Sequence, residues 1–117
     1  MKRIFIIDDN DAIVEALTFA LEAYGYEVRS IRTWNGVRGV TGTAVPDVIL
    51  LDLLLSGTDG KKVARELRSA ARTRNIPIIM LSAHPGGRDA AKQAGVDGYL
   101  AKPFDIQELT DKIEAVS

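Results

Sequence analysis

The stretch Val48-Ile49-Leu50-Leu51-Asp52 constrains this chain more than any other. Four aliphatic residues run without a polar interruption and close on a carboxylate. Such a run, entered from Pro46-Asp47, predicts a strand buried on both faces, the habit of parallel sheets. Asp52 falls at the C-terminal end of that strand, the edge at which open α/β sheets bind ligands. Three other apolar runs finish in the same way: Ile4 to Ile7 in Asp8-Asp9, Ile78 to Leu81 in Ser82, and Tyr99 to Ala101 in Lys102. As neighbouring parallel strands, the four would bring these polar ends to one crevice.

The rest of the chain reads as the connections such a sheet needs. Arg3 to Ile7 is the first predicted strand, and Asn10 or Asp11 caps the helix after it, with Asp11 and Glu15 at its positive end. Ile13, Leu17, Ala20, Leu21 and Tyr24 recur at helical spacing before Gly25 stops the helix. Glu27 to Ile31 alternates as an outer strand does. Between Thr33 and Ala44 the glycines at 36, 39 and 42 lower helix propensity, so any helix there is short. Leu53 to Gly60 predicts a loop. A helix from Lys61 to Ala71 is expected to bury Val63, Ala64, Leu67 and Ala71 and to turn Arg65, Arg68 and Arg72 to solvent. Pro77 starts the strand Ile78 to Leu81. His84-Pro85-Gly86-Gly87 then breaks the chain before a short helix, Asp89 to Ala94, ended by Gly95. After the strand Tyr99 to Ala101, Asp105 caps a last helix with Ile106, Leu109, Ile113 and Val116 on one face. Glu108 makes an imperfect capping box with it. Five strands alternating with five helical segments imply right-handed crossovers and a parallel sheet covered on both faces.

At 117 residues the chain is long enough for one domain, residues 1–117, burying roughly two-thirds of its unfolded surface. A net charge of −1 argues against direct nucleic-acid contact, which favours a clearly basic surface. The absence of cysteine excludes a disulfide framework and a thiolate metal site. No apolar run approaches the ~20 residues that cross a bilayer, and Asp8-Asp9 end the run after Met1-Lys2-Arg3 too early for a signal peptide. The expectation is a cytoplasmic domain without membrane contact.

Asp8, Asp9 and Asp52 would then lie within a few ångströms of one another. At an effective dielectric near 20, two unit charges ~4 Å apart repel by about 4 kcal/mol, so the cluster holds protons or binds a cation. Oxygen ligands without histidine or cysteine point to Mg²⁺. Helix capping is the alternative for Asp8-Asp9 alone; Asp52 and Lys102 at the same edge favour the metal. A carboxylate beside Mg²⁺ and a lysine can attack a phosphoryl group and form an acyl phosphate, the two cations offsetting its charge.

The motifs Asp8-Asp9, Leu51-Asp52-Leu53 with Asp59-Gly60, Ser82-Ala83, and Tyr99-Leu100-Ala101-Lys102-Pro103-Phe104 stand in a familiar order. Over nearly its whole length the chain resembles the response-regulator receiver domains of two-component signalling. The resemblance implies a flavodoxin-like, doubly wound sheet of five parallel strands in the order 2-1-3-4-5. It implies that Asp52 accepts a phosphoryl group from the phosphohistidine of a sensor histidine kinase or phosphotransfer domain. Asp8, Asp9, Asp52 and the backbone carbonyl of Leu54 would hold Mg²⁺, Ser82 would donate a hydrogen bond to the phosphoryl group, and Lys102 would pair with it. The bond from Lys102 to Pro103 would be cis. Such a domain promotes its own phosphotransfer and dephosphorylation, and turns over no external substrate.

Phosphate adds roughly −1.5 to −2 charge. By the same resemblance Ser82 moves toward it and Tyr99 turns inward, altering the surface of the fourth helix, fifth strand and fifth helix. The alternatives are a local serine turn for Ser82 and a fixed, half-buried aromatic for Tyr99. Leu54 and His84, two residues past Asp52 and Ser82, stand where the family tunes phosphate lifetime; a plain exposed loop histidine is the alternative for His84.

The chain also departs from the family. Ser56 stands where proline is common, the stretch from Ser82 to Gly95 is shorter than usual, and Asp97-Gly98-Tyr99 lacks a second acid. Lys112 replaces the arginine of many transcription-factor members, so their dimer is not assumed. Arg65, Arg68, Arg72 and Arg74 read as a solvated helix face rather than a docking patch. A phosphodonor is expected to dock around Val14 and Leu17, beside Pro103-Phe104. Two other readings are a binding module that keeps the fold without the chemistry, and a Mg²⁺-dependent phosphohydrolase with an aspartate nucleophile. The latter class usually carries a second acid two residues after the nucleophile, where this chain has Leu54.

Overall fold

A computed structural model describes residues 2–42, 44–55 and 57–117, so Ser56 lies outside the described residues. In chain order the elements are β1 (Arg3–Ile7), α1 (Asp11–Ala23), β2 (Glu27–Ile31), α2 (Arg38–Thr41), β3 (Val48–Asp52), β4 (Leu54–Leu55), β5 (Thr58–Asp59), α3 (Gly60–Ser69), β6 (Ile78–Ser82), α4 (Gly87–Ala94), β7 (Gly98–Ala101) and α5 (Ile106–Val116). The main sheet has the order β2-β1-β3-β6-β7, every pairing parallel. β4 and β5 form a separate two-stranded antiparallel hairpin where the sequence predicts a loop.

Both faces of the sheet are covered, and the two-residue period of the strands divides the core in two. Phe5, Ile7, Ile49, Leu51, Ile78 and Met80 face α3 and α4. Ile4, Ile6, Val48, Leu50, Ile79, Leu81 and Leu100 face α1 and α5. β3 and β6 are buried at every position, which accounts for their unbroken apolar sequence.

Local signals place the helix ends. Asn10, rather than Asp11, caps α1 by accepting from the Ile13 N–H at 3.1 Å. Asp59 caps α3, accepting from Lys61 N–H at 2.9 Å. At α5 both halves of the capping box close: Glu108 N–H to Asp105 at 2.8 Å, and Asp105 N–H to Glu108 at 3.3 Å. The box is therefore complete. Gly25 and Gly95, at φ 92° and 69°, take the left-handed positions that end α1 and α4.

Four expectations need correction. α1 buries Val14, Leu17 and Leu21, so its inner stripe is centred one residue past Ile13, and Tyr24 at its end is 53% exposed. α3 stops at Ser69 and leaves Ala71 exposed; Thr73 is buried instead, donating its hydroxyl to the Leu67 carbonyl at 2.6 Å. α4 begins at Gly87, ahead of the expected Asp89. Arg68 is no solvated residue. Its guanidinium donates to the carbonyls of Ile76 (2.8 Å) and Arg74 (3.2 Å) and pairs with the carboxylate of Asp97. Asp97 in turn accepts from Ile78 N–H at 2.8 Å. This clamp joins the end of α3 to the starts of β6 and β7. Arg68→Ala is expected to lower unfolding stability by about 1.5–3 kcal/mol in urea titrations, the range for hydrogen bonds to a charged group. Arg65→Ala, on the exposed side of the same helix, should stay within about 0.5 kcal/mol.

Candidate functional site

The register sets the strand tips in steps. Ile7 pairs with Leu51, so Asp8 and Asp52 leave β1 and β3 at the same level. Asp52 pairs with Leu81 and Ser82 with Ala101, so Ser82 and then Lys102 emerge one residue further along on each next strand. Asp8, Asp52 and Lys102 continue the alternation of the α1/α5 face, whereas Ser82 continues that of Met80 toward α4. Tyr99 packs on the α4 side as well.

Asp8 is wholly buried and Asp52 is 8% exposed. One carboxylate oxygen each of Asp8, Asp9 and Asp52 lie within 4.8 Å of one another. The Lys102 ammonium stands 3.4 Å from Asp8 Oδ2 and 3.5 Å from Asp52 Oδ1. Asp8 Oδ1 also accepts from the Asn10 N–H at 3.0 Å. Burial, and then the negative charge of Asp8, push the Asp52 carboxyl above the ordinary aspartate range. Lys102 and the Leu54 N–H pull in the other direction. Three clustered carboxylate oxygens with no nitrogen or sulfur donor suit a hard divalent cation such as Mg²⁺.

The chain behind Asp52 is drawn in tightly. Leu53 N–H donates to the Leu81 carbonyl at 2.9 Å, and Gly60 N–H to the Leu53 carbonyl at 2.8 Å. A Cβ on Gly60 would lie 2.6 Å from the Asp52 carbonyl oxygen and 2.7 Å from the Leu53 Cα, so only glycine admits this approach. That gives the Asp59-Gly60 pair a physical reason: one residue caps α3, the other lets it start against β3. The Leu54 side chain is 61% exposed, and it is no acid. Leu54 and His84 line one groove of about 540 Å³ between the β4–β5 hairpin and α4.

Ser82 is buried, and its Oγ accepts from the His84 N–H at 2.9 Å, the local serine turn. Its carbonyl accepts from the Lys102 N–H at 2.9 Å and lies 3.5 Å from the Tyr99 hydroxyl. The Arg88 guanidinium stacks over the Tyr99 ring, 5.3 Å from its centre. His84 Nδ1 accepts from the Gly86 N–H at 2.9 Å, at the start of α4. The Lys102–Pro103 bond is cis. Beyond it, a mostly apolar groove of about 420 Å³ runs between Ile13, Ala16 and Leu17 of α1 and Pro103-Phe104, with Lys102 at its end. Of the two α1 residues expected to meet a phosphodonor, Leu17 lines this groove and Val14 is buried in the core, with Ile13 at the surface instead. Sequence reasoning missed Asn10 as a partner of Asp8, and Gly87 and Arg88 as neighbours of Tyr99; the glycine pair at 86–87 signalled only a break.

The family model for the response regulator receiver domain matches residues 4–114. The DNA-binding dual master transcriptional regulator RpaA of Synechocystis sp. is 39% identical over 123 residues, covering 99% of this chain and 49% of that protein. The phosphate regulon transcriptional regulatory protein PhoB of Pseudomonas aeruginosa is 38% identical over 117 residues, 98% of this chain and 51% of that one. The chain thus spans about half the length of these curated relatives. The receiver domain of sensor histidine kinase PA1611 from P. aeruginosa PAO1, solved with magnesium coordinated in its active-site cleft, superposes with a TM-score of 0.85 at 32% identity, covering 98% of this chain and 96% of that one. The chemotaxis protein CheY4 of Vibrio cholerae gives 0.90 at 25% identity, covering 100% and 99%.

Because Asp52 holds its proton to higher pH in the fold than in the unfolded chain, the native state binds more protons across that window and stability falls as pH rises through it. Asp52→Asn removes that dependence. In chelator, the urea midpoint of Asp52→Asn is expected to gain on that of the native chain as pH climbs from about 4, then to level off. Added Mg²⁺ should close the gap at neutral pH by stabilising the native chain selectively. An advantage of the variant that shrinks with rising pH would show the sign to be wrong.

Proposed function

Since the chain belongs to the response-regulator receiver family of two-component signalling, we propose that it is a phosphoacceptor switch that takes its phosphoryl group onto Asp52. The observation that carries this reading is the Asp52 carboxylate, nearly buried, 3.5 Å from the Lys102 ammonium and within 4.8 Å of the oxygens of Asp8 and Asp9. A carboxylate oxygen of Asp52 attacks the phosphorus of a phosphohistidine. The P–N bond breaks, its electron pair stays on the imidazole, and an acyl phosphate forms. Asp8, Asp9, Asp52 and the Leu54 carbonyl would hold Mg²⁺, which would supply positive charge for the phosphoryl oxygens. Lys102 gives up its pairing with Asp52 to meet the new phosphoryl group, and the Ser82 hydroxyl, now in its local turn, rotates to donate to it.

The phosphodonor, a sensor histidine kinase or phosphotransfer domain, docks on the apolar groove between Ile13, Ala16, Leu17 and Phe104, which opens beside Lys102. Tyr99 and Ser82 carry the change to α4, β7 and α5. Hydrolysis of the acyl phosphate by water returns the domain to rest, and Leu54 and His84, along one groove, set the access of that water. The reading concerns a cytoplasmic domain; among the described residues no helix is long and apolar enough to cross a membrane.

Incubation with phosphoramidate and Mg²⁺ is expected to add one phosphate, read by intact-mass spectrometry, and chelation should prevent it. Asp52→Asn should abolish the addition, and Lys102→Ala should slow it roughly a hundredfold, the cost of losing one charge-stabilising donor. Persistent labelling of Asp52→Asn would count against the assignment.

A further inference from the structure

Gly87 is the first residue of α4, where alanine would be the better helix former. Its backbone gives no reason for glycine, because the positive-φ glycines among the described residues are Gly25, Gly36, Gly57 and Gly95. The reason is space. A Cβ built on Gly87 would lie 2.7 Å from the Tyr99 hydroxyl oxygen and 2.8 Å from both Cβ and Oγ of Ser82. All three separations are far inside van der Waals contact. Gly87 is buried, and its N–H donates to the His84 carbonyl at 2.9 Å, so the short turn after Ser82 holds the start of α4 down on the sheet. Its neighbour Arg88 covers the Tyr99 ring from outside.

We infer that the missing side chain at Gly87 admits the Tyr99 hydroxyl to the space beside Ser82, which makes Gly87 the positioning residue for both. The Tyr99 hydroxyl is the far end of a flexible side chain and yields to an added methyl. The Ser82 Cβ is fixed to β6 and does not. A methyl group at position 87 therefore expels the Tyr99 ring and lifts the first turn of α4 from Ser82. The inference rests on the phosphoacceptor reading for its effect on phosphorylation, but not for its effect on Tyr99.

The whole chain labelled with 3-fluorotyrosine gives three fluorine resonances, from Tyr24, Tyr26 and Tyr99, assigned by single Tyr→Phe variants. In Gly87→Ala the Tyr99 resonance is expected to move toward that of exposed Tyr24 while Tyr26 stays in place. Phosphorylation by phosphoramidate and Mg²⁺ should slow about tenfold or more, as displacements on the order of 1 Å can do. A folded Gly87→Ala whose Tyr99 resonance is unmoved overturns the inference, and so does an unchanged phosphorylation rate in a chain that accepts phosphate. If the native chain takes no phosphate, the phosphoacceptor reading fails and the Tyr99 resonance alone decides. If Gly87→Ala does not fold, combining it with Tyr99→Leu and Ser82→Gly, which clears all three atoms, should restore folding; failure to do so would overturn the inference and show that the glycine serves other α4 packing.

Discussion

Asp8 and Asp52 stand level on adjacent parallel strands, and that proximity is the constraint on which the rest of the site depends. Paired strands lie about 4.8 Å apart, so backbone hydrogen bonding alone holds two carboxylates near a separation where, at an effective dielectric of about 20, they repel by about 3.5 kcal/mol. Lys102 offsets part of this by approaching one oxygen of each. It cannot offset all of it. Three carboxylates and one ammonium leave two negative charges in a nearly closed space, which is the charge of a divalent cation with the sign reversed. Burial first, and then the negative charge of Asp8, raise the proton affinity of Asp52.

The parity of the strands divides the polar residues at this edge between the two faces of the sheet. Asp8, Asp52 and Lys102 belong to the face covered by α1 and α5, while Ser82 and Tyr99 belong to the face covered by α4. Ser82 joins the two, because its carbonyl is tied to the Lys102 N–H and lies near the Tyr99 hydroxyl. α4 is also the most lightly anchored of the longer helices. It buries only Gly87, Ala91 and Ala94, whereas α1, α3 and α5 each bury at least two branched aliphatic side chains. With least apolar area removed from water, it is the element whose displacement costs least.

Most of the site was legible in the sequence because strands buried on both faces write themselves as apolar runs, and the residues that end those runs are the tips of the sheet. Four of the five strands and the meeting of Asp8, Asp9, Asp52 and Lys102 follow from that one pattern; β2 shows as an alternating edge strand, and the parallel direction follows from the helices between strands. What escaped the pattern depends on contacts distant in sequence. Arg68 has the spacing of a surface residue on α3, and nothing local reveals that the carbonyls of Arg74 and Ile76 and the carboxylate of Asp97 await it. Ala71 looked like the next buried position, yet the helix had already ended and the buried place went to Thr73. Glycine content marked 53–60 as a loop, but cross-strand pairing of Leu54 with Asp59 makes it a hairpin. Gly87 was legible only as a breaker, since the reason for it lies on two strands that come before and after it.

The two grooves that border the site lie on opposite sides of it. The apolar one joins α1 to the loop after β7 and ends at Lys102. The other lies between the β4–β5 hairpin and α4 and holds Leu54 and His84. A phosphodonor seated against α1 would approach Asp52 from the side on which Lys102 waits, and would leave α4 uncovered.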